Sequence, residues 1–336
     1  MRLLIHCGLH KTGSTALQSA LALMAPQLAE NGVAYPSYEA GTPFAHHWLA
    51  NALKGPHVFK KARVNIAEMI VTAQAQSPHT VCLSSEDFET YLRRERALGR
   101  LLRIARRLDA QPVFLVYLRN QVEYLESLYL QFLRMGMRMD AADMVDQVVE
   151  TGQFAWRKWV IQFDYAAMID ALDATQSDVI VRDYHDLQNN CIIEDFLTCI
   201  GQPVDLKPKA EKLRRNASRL SRNLERYARN CDSDVDATLL SEIDRKIDGL
   251  RPRLSLEAQQ KIKDRFFAGN QLLEQRFGLV LNQAFERSKS PDPVPVMDRI
   301  FDSTAMEILS GLMPNAQARR SPKRDIELPS DWLAAI

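Results

Sequence analysis

The chain has 336 residues, 46% hydrophobic and 25% charged, with 43 Lys and Arg against 42 Asp and Glu and a formal net charge of +1. This is the balance of an ordinary globular chain, long enough for one large α/β domain or a domain with an appendage. It excludes chain-wide disorder and leaves no global field to draw the molecule to nucleic acid or an anionic membrane. Any anion it handles must therefore be met by local positive charge. The five cysteines, Cys7, Cys82, Cys191, Cys199 and Cys231, are scattered and form no CxxC pair. Neither a disulfide framework nor a zinc site is expected, and free thiols in a reducing cytosol are. The apolar run from Met1 to His6 is too short for a signal peptide or a membrane anchor. A cytoplasmic protein without a transmembrane segment is expected.

Taken in chain order, Arg2 to His6 reads as a buried strand and Cys7 to Gly13 as a glycine-bounded loop. A helix then begins at Ser14, with Leu17, Ala20, Leu21 and Met24 spaced i, i+3, i+4, i+7. Pro26 is expected to open a further turn that Asn31-Gly32 ends. Three more apolar, β-rich runs follow: His79 to Ser84, Pro112 to Leu118 and Asp178 to Arg182. Helical patterns lie between them at Ala62–Gln76, Glu95–Leu108 and Val122–Met135. Strands alternating with helices predict a central parallel sheet covered on both faces, and near-continuous apolar strands suit such burial. Beyond about residue 189 only helices are read, at 190–200, 218–230, 236–249 and 255–277. The expected division is an α/β domain over 1–285 and a linker and tail over 286–336. The second part holds the turn-rich stretch Ser288–Pro295, an amphipathic segment Met297–Leu312 and a basic cluster from Arg319 to Arg324. That cluster reads as a solvated tail.

The chemistry is concentrated in Gly8-Leu-His-Lys11-Thr12-Gly13-Ser14-Thr15, between the first strand and the first helix. Backbone N–H groups and the helix dipole favour an anion at such a junction. Gly13 allows close backbone approach, Ser14 and Thr15 add hydroxyl donors, and Lys11 adds a full charge. The order differs from the ATP-binding loop of P-loop enzymes, in which Lys directly follows the last Gly. A second signal is the strand Pro112–Leu118, which ends in Arg119, with Ser127 eight residues on. Sheets of this class bind ligands at the carboxyl ends of their strands, and the guanidinium fork suits a phosphate. A magnesium-using nucleotidase wants Asp at such a strand end, and here a cation stands in its place.

The order G-x-x-K-T-G-[ST]-T followed by Leu17-Gln18 resembles the 5′-phosphosulfate loop of the sulfotransferases that use 3′-phosphoadenylyl sulfate (PAPS). The resemblance spans roughly residues 1–280 and implies the P-loop-like α/β fold of that family. It implies that Lys11, Thr12, Gly13, Ser14 and Thr15 hold the 5′-phosphosulfate and that Arg119 and Ser127 grip the 3′-phosphate. Val181-Arg-Asp-Tyr184-His-Asp-Leu187 resembles the family's Tyr-Glu-Asp-Leu segment, with His185 replacing Glu, and implies Tyr184 near the adenine. Asn216-Ala-Ser218 resembles an Asn-x-Ser of bacterial members, and it also reads as a helix N-cap. The reaction implied is metal-free sulfuryl transfer from PAPS to a hydroxyl on a sugar, glycolipid or other small molecule. Lys11 would neutralise charge on the leaving group.

The proton acceptor is open between two candidates. Glu86 follows the strand His79–Ser84 directly, and carbohydrate members of the family use a Glu in this role. His46 and His47 lie in the helical-looking segment Phe44–Leu53. Aromatic residues that border the expected acceptor loops, Tyr35, Tyr38, Phe44, Trp48, Phe154, Trp156 and Trp159, are candidates for stacking on a sugar, although Trp and Phe at such positions more often belong to the core. Two alternatives stand beside this reading. One is a nucleotide-binding P-loop kinase or NTPase. The other is a non-catalytic binding protein on a sulfotransferase-like fold.

Overall fold

A computed structural model describes residues 1–36, 44–187 apart from 136 and 138, 191–203 and 254–282. The helical patterns at 218–230, 236–249 and 297–312, the Asn216–Ser218 motif, the linker, the basic cluster and Tyr38 lie outside those residues, as does the division at 285.

Five parallel strands form the central sheet: β1 (Arg2–His6), β2 (Val33–Ala34), β3 (Thr80–Ser84), β4 (Gln111–Leu118) and β7 (Asp178–Asp183), in the order β2-β3-β1-β4-β7. Strands β5 (Gln153–Trp156) and β6 (Trp159–Gln162) form a separate antiparallel hairpin. The apolar strands are continuous in sequence because both faces of the sheet are covered, and their side chains sort by period two into two cores. Leu4, Cys82, Val113, Leu115 and Tyr117 pack with helices α1 (Ser14–Glu30) and α9 (Ile192–Cys199). Leu3, Ile5, Val81, Leu83, Phe114, Val116 and Leu118 face the other way. There they meet α4 (Arg63–Gln74), α5 (Glu95–Leu108), α6 (Gln121–Arg134), α8 (Tyr165–Asp173) and α10 (Leu256–Phe277). Three further helices complete the described residues: α2 (His47–Ala52), α3 (Pro56–Lys61) and α7 (Ala141–Thr151). The α/β architecture with a parallel sheet and helical C-terminal residues matches the expectation.

Two local differences have simple causes. Pro26 opens no new turn: α1 runs unbroken from Ser14 to Glu30 with Pro26 inside it. The apolar stripe Leu17, Leu21, Met24, Leu28 is buried continuously across the proline, so packing holds the helix where the missing N–H would loosen it. Strand β2 and the β5–β6 hairpin were not legible, because two- and four-residue strands are too short to show a period.

Candidate active site

The first strand delivers its chain to the carboxyl edge of the sheet between β3 and β4. The Cys7 N–H donates to Leu115 O at 2.9 Å, and then the backbone turns. Lys11 and Gly13 both take left-handed conformations, φ 65° and 81°. At Gly13 this is without cost, whereas Lys11 bears the Cβ penalty of about 1 kcal/mol. Thr12 is enclosed and donates its hydroxyl to Leu9 O at 2.6 Å, closing the loop on itself. Gly13 occupies the N-cap of α1 without a side-chain hydrogen bond, so the helix's first N–H groups gain no side-chain cap there. Ser14 Oγ is buried without a hydrogen-bond partner. A Cβ at Gly8 would stand 2.6 Å from Ser14 Oγ and 2.6 Å from His6 Nε2. The loop is thus a concave backbone turn around small residues, with an orphaned buried hydroxyl.

Arg119 follows β4, and its guanidinium comes back to this loop. Its Nη1 donates to Lys11 O and to Ser127 Oγ, both at 3.1 Å. Helix α6 explains the second contact: Asn120 caps it by accepting the Val122 N–H at 3.0 Å, and Glu123 and Ser127 then share one face at spacing i, i+4. Glu123 completes the set, its Oε2 lying 3.2 Å from Arg119 Nη2 and 3.1 Å from His185 Nε2. Burial alone would raise the Glu123 carboxyl, but the His185 and Arg119 partners outweigh it and hold it down at about 2. Arg119 Nε is buried without a partner. Tyr165 fixes the backbone by donating its hydroxyl to Arg119 O at 2.7 Å. Tyr184, after β7, places its ring 5.5 Å from the Arg119 guanidinium carbon and 3.8 Å from where a Cβ of Gly13 would sit. Lys11, Gly13, Arg119, Ser127 and Tyr184 therefore gather at one edge.

The other flank is acidic. Ser85 caps a short 3₁₀ turn, Glu86–Tyr91, by accepting the Asp87 N–H at 3.2 Å. Three residues per turn put Glu86 and Glu89 on one side, yet their surroundings differ. Glu89 is fully buried and saturated. It accepts the Tyr124 hydroxyl at 2.8 and 2.9 Å, the Gln162 N–H at 2.8 Å and the His10 N–H at 3.3 Å, and lies 2.9 Å from His10 Nδ1. Burial would depress His10, but hydrogen bonds to Asp87 and Glu89 prevail and push it up to about 10. His10 is thus an imidazolium that pins the loop to the 3₁₀ turn. Glu86 keeps partial access to solvent; its Oε2 accepts from Gln18 Nε2 at 2.8 Å, and its Oε1 is 3.9 Å from His47 Nε2. Gln18 is on α1, so Glu86 is tied to the loop's own helix.

The two histidine candidates separate. His46 Nδ1 accepts the Ser84 N–H at 3.0 Å and Nε2–H donates to Pro36 O at 2.8 Å. Burial lowers it to about 4, so it is a neutral spacer between two loops. His47 is half-buried beside Ser85 Oγ, 2.9 Å from Nδ1, within reach of Glu86 and Asp87. Of the aromatic candidates, Tyr35 and Phe154 are core residues, whereas Trp156 and Trp159 stack 5.9 Å apart at the hairpin tip. Trp159 Nε1 donates to Asp87 Oδ1 at 3.3 Å, which brings the hairpin to the acidic flank. Sequence reasoning missed His10, Glu89, Glu123 and the role of the hairpin. Glu123 was findable, since it stands four residues before Ser127. No group of His, Cys, Asp and Glu among the described residues is arranged to hold a metal ion, and no helix among them is long and apolar enough to cross a membrane.

No protein-family model matches this chain, and no curated protein matches it. Among solved structures, a sulfotransferase from Alicyclobacillus acidocaldarius aligns with a TM-score of 0.41 at 14% identity, over 70% of this chain and 97% of that one.

Proposed function

We propose that the protein is a sulfotransferase that takes the sulfuryl group from PAPS and gives it to a hydroxyl acceptor. One observation carries the reading. Arg119 Nη1 bonds Lys11 O and Ser127 Oγ at once, across 108 and 8 residues of sequence. The glycine-bounded loop and the residues after β4, each read from the sequence as suited to an anion, are therefore in direct contact, which supports this reading. The residues fit a donor with two phosphate-bearing ends. The loop offers the α1 terminus, a buried Ser14 hydroxyl awaiting a partner and a backbone free of Cβ at Gly8. Arg119 offers a buried, unpartnered Nε–H, while the carboxylate of Glu123 is paired with Arg119 and lies 3.1 Å from His185 Nε2. Tyr184 borders Gly13 and Arg119, where a flat ring can be flanked.

The donor, when bound, supplies an activated sulfuryl group and departs as adenosine 3′,5′-bisphosphate. Lys11 puts positive charge on the loop where the leaving oxygen gains negative charge. Glu86 Oε1 takes the acceptor's proton; Gln18 holds the other oxygen, and His47 stands beside it. Glu89, enclosed and saturated, keeps His10 and hence the loop in place.

The test is calorimetry without magnesium. Adenosine 3′,5′-bisphosphate should bind, and ATP should bind far more weakly. Arg119→Ala should weaken the bisphosphate by roughly 2–5 kcal/mol, the cost of losing a desolvated charge-assisted pair, while an analogue lacking the 3′-phosphate is barely affected. Magnesium-dependent ATP binding with no bisphosphate binding would refute the proposal in favour of a kinase or NTPase.

A further inference from the structure

Exposed cations on α10 meet carboxylates. Arg265 lies 3.7 Å from Asp164, Lys261 lies 3.4 Å from Glu257, and Arg276 bonds Asp173 through both Nη atoms. The layer formed by α3, α4 and α5 is different. Lys60 and Lys61 close α3, Arg63 opens α4, and five arginines follow on α5, against two carboxylates, Glu68 and Glu95. Among the described residues, no carboxylate lies within 4.0 Å of any of these eight cations. On α5 the pairs Arg96 with Arg100 and Arg103 with Arg107 set like charges one turn apart, which weakens a helix. Burial of Leu98, Leu101, Ile104 and Leu108 holds the helix on the sheet in spite of this. The arginines therefore do nothing for the helix itself, and an external anion would relieve their repulsion.

The layer turns these charges to one side. Helices α4 and α5 bury their apolar faces in the same core and pack on each other, so their exposed residues point away from the sheet. The Arg103 guanidinium carbon is 5.5 Å from the centre of the Phe59 ring of α3, which brings the end of that helix, with Lys60 and Lys61, to the α5 arginines. On α4, beside Arg63, Val64 is 66% exposed and Val71 64%. They are two turns apart on one face, with Ala67 and Glu68 in the turn between. Aliphatic side chains left in water and bordered by long cations suit a surface that lies on an anionic bilayer. The charged heads reach lipid phosphates while the valines enter the headgroup boundary. A face for single-stranded nucleic acid needs an exposed ring on which a base can stack. Phe59, the one Phe, Tyr or Trp on these three helices, is half-buried beneath Arg103.

We infer that the α3–α5 layer is a peripheral membrane-binding surface that takes an anionic phospholipid bilayer through Lys60, Lys61, Arg63, Arg103, Arg106 and Arg107, with Val64 and Val71 set into it. This goes beyond the transferase reading and stands or falls without it. The probe is a pair of vesicle preparations, phosphatidylcholine alone and phosphatidylcholine mixed with phosphatidylglycerol, sedimented with the full chain. The protein should pellet with the anionic vesicles, stay in solution with the neutral ones, and be released as salt is raised. Each Lys or Arg at such a surface is worth about five-fold in affinity. Lys60→Gln combined with Arg103→Gln, Arg106→Gln and Arg107→Gln should therefore weaken anionic-vesicle binding by roughly 10²–10³-fold. Its thermal midpoint should equal or exceed that of the unaltered chain, because like-charge repulsion is removed, and this reports that the variant is folded. Val64→Ser with Val71→Ser should weaken binding at least about three-fold. Lys261→Gln with Arg276→Gln, which removes paired cations from α10, should leave it unchanged. Equal binding to the two preparations, binding to neither, or a four-site variant that binds like the unaltered chain overturns the inference. Tighter capture of an RNA oligonucleotide than of anionic vesicles, indifferent to the valine changes, overturns it in favour of a nucleic-acid surface.

Discussion

Glu86 and Glu89 are three residues apart on one turn, and their neighbours give them different work. Glu89 has every lone pair engaged inside the core, so it cannot accept a substrate proton without breaking the loop's anchor. Glu86 has one oxygen engaged by Gln18 and the other directed toward His47. Glu86→Gln keeps the shape and an acceptor for Gln18 but removes the basic oxygen. Transfer should drop roughly 10²–10⁴-fold, the usual range for a lost general base, with bisphosphate affinity retained. Steady-state rates of Glu86→Gln beside His47→Ala check this. Near-wild-type turnover in the first and collapse in the second would move the role to His47. His46 is excluded from that role by geometry, because both ring nitrogens already bridge Pro36 and Ser84.

Among the elements, the strand–loop–helix unit from β1 to α1 is the most constrained. Gly8 has no positive φ that would demand glycine, so space alone decides its identity. A methyl there meets His6, which cannot retreat. That ring is fully buried, its Nδ1 is 2.7 Å from Ser84 Oγ, and it stands edge-on to Tyr117 and Phe196. Gly8→Ala should therefore destabilise the fold by about 1–3 kcal/mol, as overpacking does, and weaken bisphosphate binding by filling the loop. Gly99→Ala is the contrast: it lies within α5, and a Cβ there meets nothing within 4 Å. It should gain up to about 1 kcal/mol from helix propensity. Chemical denaturation of both variants measures the pair. If Gly8→Ala is neutral in both stability and binding, the loop is looser than the packing around His6 implies.

Across the whole molecule, buried histidines set the response to pH. Burial lowers His6 to about 3 and His46 to about 4. Between those values and their usual 6.5 the unfolded chain binds more protons, so stability falls as pH drops below about 6.5. Glu123, held down at about 2, adds to the acid loss as the pH falls below the normal carboxylate range. His10 acts in the opposite direction. Raised to about 10 by Asp87 and Glu89, it contributes stability that is complete below 6.5 and is lost as pH rises toward 10. Thermal unfolding should therefore show the highest Tm near pH 6–7, with losses on both sides. His46→Gln should flatten the acid limb, and His10→Gln the alkaline one. A Tm that climbs steadily from pH 6.5 to 9 would contradict the His10 assignment.

The alternation of strands and helices, the parallel sheet and the positions of Lys11, Arg119, Ser127, Tyr184 and Glu86 along it are legible in the chain alone. Those features are local: apolar runs fix strands, spacing fixes helix faces, and a strand's end fixes which edge a residue meets. The β5–β6 hairpin was illegible because its four-residue strands carry no period, and its importance lies in one contact, Trp159 to Asp87, across 72 residues. Glu89 could not be told from Glu86 by type or position, since only the arrival of Tyr124, Gln162 and His10 makes one a structural anchor. Tertiary structure decides such matters because charge and hydrogen bonding depend on burial and on partners brought from far along the chain, which no local pattern encodes.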